Sequence, residues 1–245
     1  MGPRVNDRFP VTRPSVVTGA TGEDPVVRER AVRTLAESYW RPIYAYLRWK
    51  WRATPEDAED LTQGFFVVLL ERDLVAKFDA GRGRFRTYLR TCLDGWVSNE
   101  RKSAGRLKRG GGLERLSLDF ANAEAEIARL PGPSHTDPEE MFRREWARSL
   151  FAWTLDALEG ACAASGHERR AALFRRYDVD PPPEERPTYA ELAAEFGVPV
   201  TQVTNELHAV RRRFRELLLG RLRELTATDE EFREEARELL GGDPA

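Results

Sequence analysis

A run of polar and basic side chains near the carboxyl end of the chain has the composition of a surface that contacts DNA. Hydroxyl and amide groups can hydrogen-bond to base edges in a major groove, and arginines one to three turns later can pair with phosphates. The candidate DNA-contacting residues are Thr201, Gln202, Thr204, Asn205, His208, Arg211, Arg212 and Arg215.

The residues before this run predict the elements that would position it. Thr188 and Glu191 have the spacing of a capping box and predict a short helix that reaches Phe196. Gly197-Val198-Pro199 then predicts a tight turn, and a longer helix follows. This order predicts a helix-turn-helix, whose second helix can enter a major groove. An ordinary helical hairpin with a solvated face has the same pattern, so that alternative stays open.

A second candidate surface lies between Arg82 and Arg115, where ten Arg or Lys residues stand against three acids. Flat aromatic rings in a cationic groove are what the capture of an unpaired strand requires. Tyr88 and Trp96 lie among these cations together with Phe85. The alternative is that the rings belong to the core beneath a charged surface, and their spacing favours the core for Phe85 and, less strongly, for Trp96.

A third candidate is the acidic start of a helix that Thr54-Pro55 opens. Glu56, Asp57, Glu59 and Asp60 follow within this start. Favourable placement of acids at a helix N-terminus explains about half of them. The remainder predict a docking surface for a basic partner.

Helical spacing recurs along the whole chain and no segment has the alternation of a strand, so we expect an all-α fold with two helical domains. Pro42 is expected to divide or kink a helical stretch that begins at Asp24-Pro25. The expected divisions are an extended tail at 1–24, a first domain at 25–112, an acidic linker at 113–137, a second, helix-turn-helix domain at 138–225 and an acidic helix or tail at 226–245.

The last of these divisions adds a helix to the two domains. Its apolar residues Phe232, Ala236 and Leu239 are expected to cap the second domain, a reading we favour over a regulatory contact.

Composition argues against several functional classes. The net charge is -2, so attraction to DNA is expected to be local, and binding by the isolated chain is expected to be weak. Cys92, Cys162 and the three histidines lack metal-ligand spacing, and no phosphate-binding Gly-Lys-Ser/Thr motif occurs. We therefore expect no enzyme activity, cofactor or small-molecule substrate. Without an apolar leader or membrane span in the sequence, we expect a cytoplasmic protein.

The order of these motifs resembles the RNA polymerase sigma factors, and the closest group is the extracytoplasmic-function (ECF) sigmas, which keep only regions two and four. The resemblance rests on Asp57-Ala-Glu-Asp-Leu-Thr-Gln63 with Phe65-Phe66, on Phe85-Arg-Thr-Tyr-Leu-Arg90 with its basic run, and on the terminal Arg-Arg-Arg-Phe-Arg. It covers residues 25–112 and 138–225.

The resemblance implies a role for each surface. Core RNA polymerase would bind at or near Asp57, Glu59, Asp60, Gln63 and Phe66. The minus-ten element would be opened and held by Tyr88, Trp96, Asn99, Arg101 and Lys102. The face from Thr201 to Arg215 would read the minus-thirty-five element, and the linker would thread toward the polymerase active-site channel. An anti-sigma protein is a further candidate partner.

The sequence departs from the family pattern at several positions. Gly95 and Asn99 stand where many members carry Asn and Asp, and Thr204 and Glu206 stand where Lys or Arg is common. These differences leave the promoter sequence open. The alternative function is a stand-alone helix-turn-helix regulator, which would bind duplex DNA tightly without polymerase.

Overall fold

The protein is all-α, as predicted, and contains no strand among the residues that its computed structural model describes, which are 16–20, 24–102, 118–129 and 137–241. The helices are α1 (Val16–Gly19), α2 (Pro25–Trp49), α3 (Pro55–Glu71), α4 (Phe85–Lys102), α5 (Phe120–Arg129), α6 (Pro138–Ala164), α7 (Glu168–Phe174), α8 (Tyr189–Phe196), α9 (Val200–Leu225) and α10 (Asp229–Leu240).

The chain forms two compact units whose limits differ from the predicted domain boundaries. Unit 1 contains residues 1–146 and 223–245, and unit 2 contains residues 147–222. The first part of α6 and all of α10 therefore belong to unit 1. A boundary predicted from composition follows Pro-rich and acidic stretches, whereas a compact unit is defined by which side chains pack together.

The N-terminal part of unit 1 differs from the sequence prediction in two ways. Val16–Gly19 is helical, with Val17 buried, where an extended tail was expected. Pro42 lies inside the single helix α2 and does not divide it. A proline removes one helical hydrogen bond, and large buried side chains on both sides of Pro42, such as Tyr39 and Tyr46, hold the helix in the core.

The predicted starts of α2 and α3 are confirmed. The Asp24 carboxylate accepts a hydrogen bond from the Val26 amide at 2.9 Å, and the Thr54 hydroxyl accepts one from the Asp57 amide at 3.1 Å. These caps fix where each helix begins. The helices of unit 1 then share a core of aromatic and aliphatic side chains, which includes Tyr39, Tyr46, Phe65, Phe66, Phe85, Leu89, Leu93 and Val97.

Part of the predicted linker is a helix packed on α2. Phe120 opens α5 and contacts Trp40 and Tyr44, with ring centroids 5.2 Å apart in each pair. The Glu124 carboxylate accepts hydrogen bonds from Arg48 at 2.6 and 2.8 Å. Residues 120–129 of the predicted linker are therefore a packed helix, held on α2 by an apolar ring and paired charges.

The acidic tail also packs on unit 1, so the expectation that it caps the second domain is wrong. Thr228 caps α10, and Ala236 on its inner face is fully buried. The Glu235 carboxylate accepts a hydrogen bond from Arg86 Nε at 2.8 Å. The sequence pattern showed the apolar face of this helix, but the arginines that pair with its acids lie about 150 residues earlier.

Unit 2 contains the short helix, turn and long helix that the sequence predicts. The Thr188 and Glu191 capping box opens α8, and Gly197 ends it in the left-handed conformation at φ 63°. A side chain at that φ is strained, so glycine suits the turn. The core of the unit consists of side chains from α6 to α9, including Leu158, Leu173, Phe174, Leu192, Val203, Leu207, Val210 and Phe214.

Candidate functional site

The acidic start of α3 presents carboxylates to solvent. Asp57 and Asp60 are exposed, whereas Glu59 and Gln63 are half-buried. Gln63 Nε2 donates a hydrogen bond to Glu59 at 3.3 Å, one turn earlier. Four of the five residues predicted to contact a basic partner can therefore be reached from outside the unit.

Phe66, the fifth residue of that predicted set, is a core residue. Its side chain is 2% exposed, and its ring lies 6.1 Å from that of Phe65. Adjacent aromatic residues on a helix point about 100° apart, so a wide apolar face can bury both. Phe66 therefore anchors α3 and is removed from the contact set.

Tyr88 is held by its own unit at both ends of its side chain. The hydroxyl donates a hydrogen bond to the Leu74 carbonyl at 2.6 Å, and the ring packs 5.4 Å from Phe78. Burial raises the pKa of the Tyr88 hydroxyl. These contacts hold the Tyr88 ring against its own unit, which agrees with a core role for Tyr88 more than with stacking on a DNA base.

Trp96 lies against α3 because that helix carries a glycine at the contact. Its ring centroid is 5.7 Å from that of Phe65, and a Cβ on Gly64 would come within 3.2 Å of the Trp96 ring. Gly64 therefore allows a close approach of the indole. Trp96 is half-buried, so only part of its surface remains for a ligand.

The surface predicted to bind an unpaired DNA strand is exposed at the end of α4, where Asn99, Arg101 and Lys102 lie. The rest of the basic run, including Arg106, Lys108 and Arg109, lies outside the described residues. The Arg101 guanidinium lies 4.9 Å from the centre of the Trp51 ring and donates a hydrogen bond to the Trp51 carbonyl.

Trp51 is an aromatic residue of this surface that sequence reasoning missed. The ammonium of the neighbouring Lys50 lies 5.7 Å from the centre of the Trp51 ring, and the Trp51 indole Nε1 donates a hydrogen bond to Asp94 at 3.0 Å. The run Lys50-Trp51-Arg52 is a basic and aromatic signal in the sequence. It follows the end of α2, far from α4 along the chain, so the sequence alone did not join the two.

The face of α9 that was predicted to read DNA is exposed at five of its eight residues. These are Thr201, Thr204, Asn205, His208 and Arg212. Arg215 is half-buried. Short hydrogen-bonding groups therefore occupy the first turns of the helix and an exposed cation follows, which is the order needed for base edges and then phosphates.

Two other residues of the set are occupied within unit 2. Arg211 makes a bidentate pair with Asp178 at 2.8 and 3.0 Å, which raises its pKa, and it lies over the Tyr177 ring. Gln202 donates to Glu206 at 2.9 Å. Both side chains brace α9 in this structure, which the charge pattern could not show because Asp178 lies 33 residues earlier.

Glu206, one of the departures from the family pattern, is a buried anchor. Its carboxylate pairs with Arg169 at 2.8 Å, and this hydrogen bond holds the pKa of the Glu206 carboxyl below its usual value. An acid at this position therefore joins α9 to α7 and does not face the DNA that α9 was predicted to read.

The all-α protein therefore has an acidic face and a basic, aromatic surface in unit 1, and a polar helix face in unit 2. Residues 35–107 match the family model of sigma-70 region 2, which covers under a third of the chain. No curated protein and no solved structure was found to match the sequence. The family match agrees with the predicted resemblance to sigma factors over that segment of unit 1.

Two further classes of feature are absent from the part of the chain that the structure describes. None of its helices is long and apolar enough to cross a membrane. Its His, Cys, Asp and Glu side chains form no group of three or more that could hold a metal ion.

Proposed function

We propose that this protein is a sigma factor of RNA polymerase, with the ECF sigmas as its closest group. The observation that carries the proposal is the match of residues 35–107 to sigma-70 region 2. The acidic face of α3 and the cationic end of α4 both lie in this segment. The proposed partners are core RNA polymerase, promoter DNA and, as a regulator, an anti-sigma protein, all in the cytoplasm.

The proposed polymerase contact is the exposed acidic start of α3. Asp60→Arg should weaken binding to core polymerase, because a cation there repels a basic partner surface. Glu71→Arg, at the exposed far end of the same helix, is the matched control and should bind normally. Equal affinity of both variants for core enzyme would remove this contact from the proposal.

The proposed contact with the unpaired DNA strand combines the exposed end of α4 with Trp51. Arg101 and Lys102 would pair with phosphates, and the Trp51 ring would stack on an unpaired base. Strand opening would then be driven by binding energy, without nucleotide hydrolysis. Nothing in this role requires a catalytic side chain or a cofactor.

The proposed duplex contact is the exposed face of α9, as the second helix of a helix-turn-helix. Asn205→Ala should change which sequence is preferred, whereas Arg212→Ala should weaken binding to every sequence. Arg212→Ala should also lower the salt slope by roughly 0.9 if the side chain meets one phosphate. Equal losses on all sequences for both variants would contradict this division.

Run-off transcription with core polymerase tests the whole proposal. The promoters would be those mapped by start sites after overexpression, and initiation should depend on both the protein and core enzyme. Tight, specific duplex binding without polymerase, and no initiation at any promoter, would instead favour the stand-alone helix-turn-helix regulator.

A further inference from the structure

The tail helix α10 carries a stripe of four glutamates that all reach the start of α4. Their spacing of three, one and three residues places them on one face of the helix. The contacts are Glu231 to the Phe85 amide at 2.6 Å, Glu234 to Arg84 at 3.1 Å, Glu235 to Arg86 at 2.8 Å, and Glu238 to Arg84 at 2.5 Å and to Arg86 at 3.1 Å.

The centre of this contact is buried. The Arg86 side chain is 5% exposed and that of Glu235 is 3% exposed, and the Arg86 guanidinium lies 5.5 Å from the centre of the Trp146 ring. An ion left unpaired in such a place is costly, so separation of α10 from α4 requires both ions to regain water. The contact therefore joins α10 firmly to α4 within unit 1.

The other carboxylate of the buried part fixes the chain just before α10. Glu231 accepts hydrogen bonds from the Ala227 amide at 2.8 Å and from the Phe85 amide at 2.6 Å. One side chain thus ties both the turn after α9 and the first residue of α4. These two hydrogen bonds hold residue 227 near the start of α4 as long as α10 stays in place.

This contact gives unit 2 two connections to unit 1. The chain leaves unit 1 within α6, after residue 146, and returns to it within α9, before residue 223. Without α10 the return would consist of the last turn of α9 alone, and unit 2 would depend mainly on the α6 connection. A second connection narrows the range of separations that two joined modules can reach, because fewer chain conformations satisfy both ends.

We propose that α10 is a second tether by which the protein selects the spacing between the two DNA elements that it contacts. The inference rests on the proposed function, in which unit 1 holds the melted element and unit 2 reads the upstream duplex. Each added base pair moves the two elements apart by about 3.4 Å, so a restrained pair of units distinguishes promoters by spacer length. Arg84, Glu234 and Glu238 are the positioning residues that can be changed with the least disturbance, because they lie at the accessible edge of the contact.

The test compares spacer tolerance in run-off transcription with the tether intact, broken and restored. With the full-length protein, lengthening or shortening the preferred spacer by about two base pairs should lower initiation by about tenfold or more. Glu234→Arg with Glu238→Arg places like charges against Arg84 and, at position 238, against Arg86, and should flatten this dependence to about threefold or less. Adding Arg84→Glu restores opposite charges between position 84 and positions 234 and 238, while position 238 still faces Arg86, so the narrow profile should return in part.

A matched control and a second variant keep the test decisive. Glu230→Arg makes the same charge change on an exposed position of α10, about 100° around the helix from Glu231, and should leave the profile narrow. If thermal unfolding shows that the double reversal has lost the fold, Glu234→Gln with Glu238→Gln removes the same pairs more gently. Hydrogen exchange reports whether α10 has been released. If α10 is released and the spacer profile stays narrow, the proposal is overturned.

A readout without DNA separates this proposal from the proposed function. In the free protein, the distribution of energy-transfer efficiency between one dye on unit 1 and one on unit 2 should broaden in the double reversal and should narrow in part when Arg84→Glu is added. A broadened distribution without initiation at any promoter would support the tether proposal and reject the sigma role. Initiation without broadening, and with one spacer profile for all variants, rejects the tether and leaves the sigma role.

Discussion

Helices α5 and α10 both pack on unit 1 through glutamates paired with arginines, yet their electrostatics are opposite. In α5 the Arg48 and Glu124 side chains are 23% and 28% exposed, and the hydrogen bonds from Arg48 hold the pKa of the Glu124 carboxyl below its usual value. In α10 the Arg86 and Glu235 side chains are 5% and 3% exposed, and burial raises the pKa of the Glu235 carboxyl.

The difference shows what solvent access does to one kind of ion pair. Near water the two ions keep part of their hydration, so pairing adds to the stability of the charged state. In the interior the loss of hydration outweighs the attraction between the two ions. Removal of either partner alone is then strongly destabilising, because it leaves an unpaired ion in the core. We therefore expect α10 to depend on matched charges, and α5 to depend more on its apolar anchor Phe120.

The largest expected effect comes from removing one ion of the buried pair. Arg86→Ala removes the principal counter-ion of Glu235, so the buried carboxyl must remain unpaired or take up a proton, and the free energy of unfolding of unit 1 should fall by about 3 to 5 kcal/mol. Urea denaturation followed by circular dichroism measures the change. A loss below about 1 kcal/mol would mean that the Glu235 site is hydrated and that the comparison fails.

The control for that variant removes both ions together. Arg86→Met with Glu235→Leu replaces the pair by apolar side chains of similar size and should recover most or all of the lost stability. The recovery separates the cost of an unpaired charge from the cost of lost packing beside Trp146.

The next effect tests the apolar anchor of α5. Phe120 is 9% exposed and lies between Trp40 and Tyr44, so Phe120→Ala should cost about 3 kcal/mol and release α5 from α2. Hydrogen exchange of residues 118–129 should rise, with α10 unchanged. Asn122→Ala, on the exposed side of α5, should change the free energy of unfolding by less than about 0.5 kcal/mol.

A smaller effect is expected from the charges of α5. Glu124→Gln weakens the two hydrogen bonds from Arg48 and should cost about 1 kcal/mol, with less effect in high salt. Glu126→Gln should cost less, because Glu126 is 41% exposed and pairs with Arg41 at the surface. A larger loss from Glu126→Gln would contradict the link between burial and pairing strength.

The sequence predicted well those features that depend on residues close together in the chain. The all-α class, the Thr54 and Thr188 caps and the Gly197 turn each follow from local chemistry. The exposure of Asp57, Asp60, Asn205 and Arg212 also agrees with their polar spacing.

What the sequence did not predict are pairings between distant segments. The arginines at 84, 86 and 211 counted as a positive surface, but each pairs with an acid that lies 33 to about 150 residues away. Phe66 and Tyr88 belonged to motifs with a family role, yet their contacts hold the core of unit 1 together. Local charge counts cannot find such partners, because burial decides whether a charge is available to a ligand.

The smallest effect, and the sharpest test of the two pKa directions, is the dependence on pH. Burial raises the pKa of Glu235 and Glu231 above the usual 4.5, so the folded state binds these protons more readily than the unfolded state, and α10 should become more stable as the pH falls toward 4.5. Glu124 has a lowered pKa, so its contribution is complete above 4.5 and is lost only as the pH falls further. Segment-resolved hydrogen exchange, corrected for the intrinsic rate at each pH, should therefore show rising protection of α10 between pH 7 and 5 with α5 unchanged. Glu235→Gln should reduce the slope in α10. Rising protection of both helices together would mean that the two ion pairs share one environment.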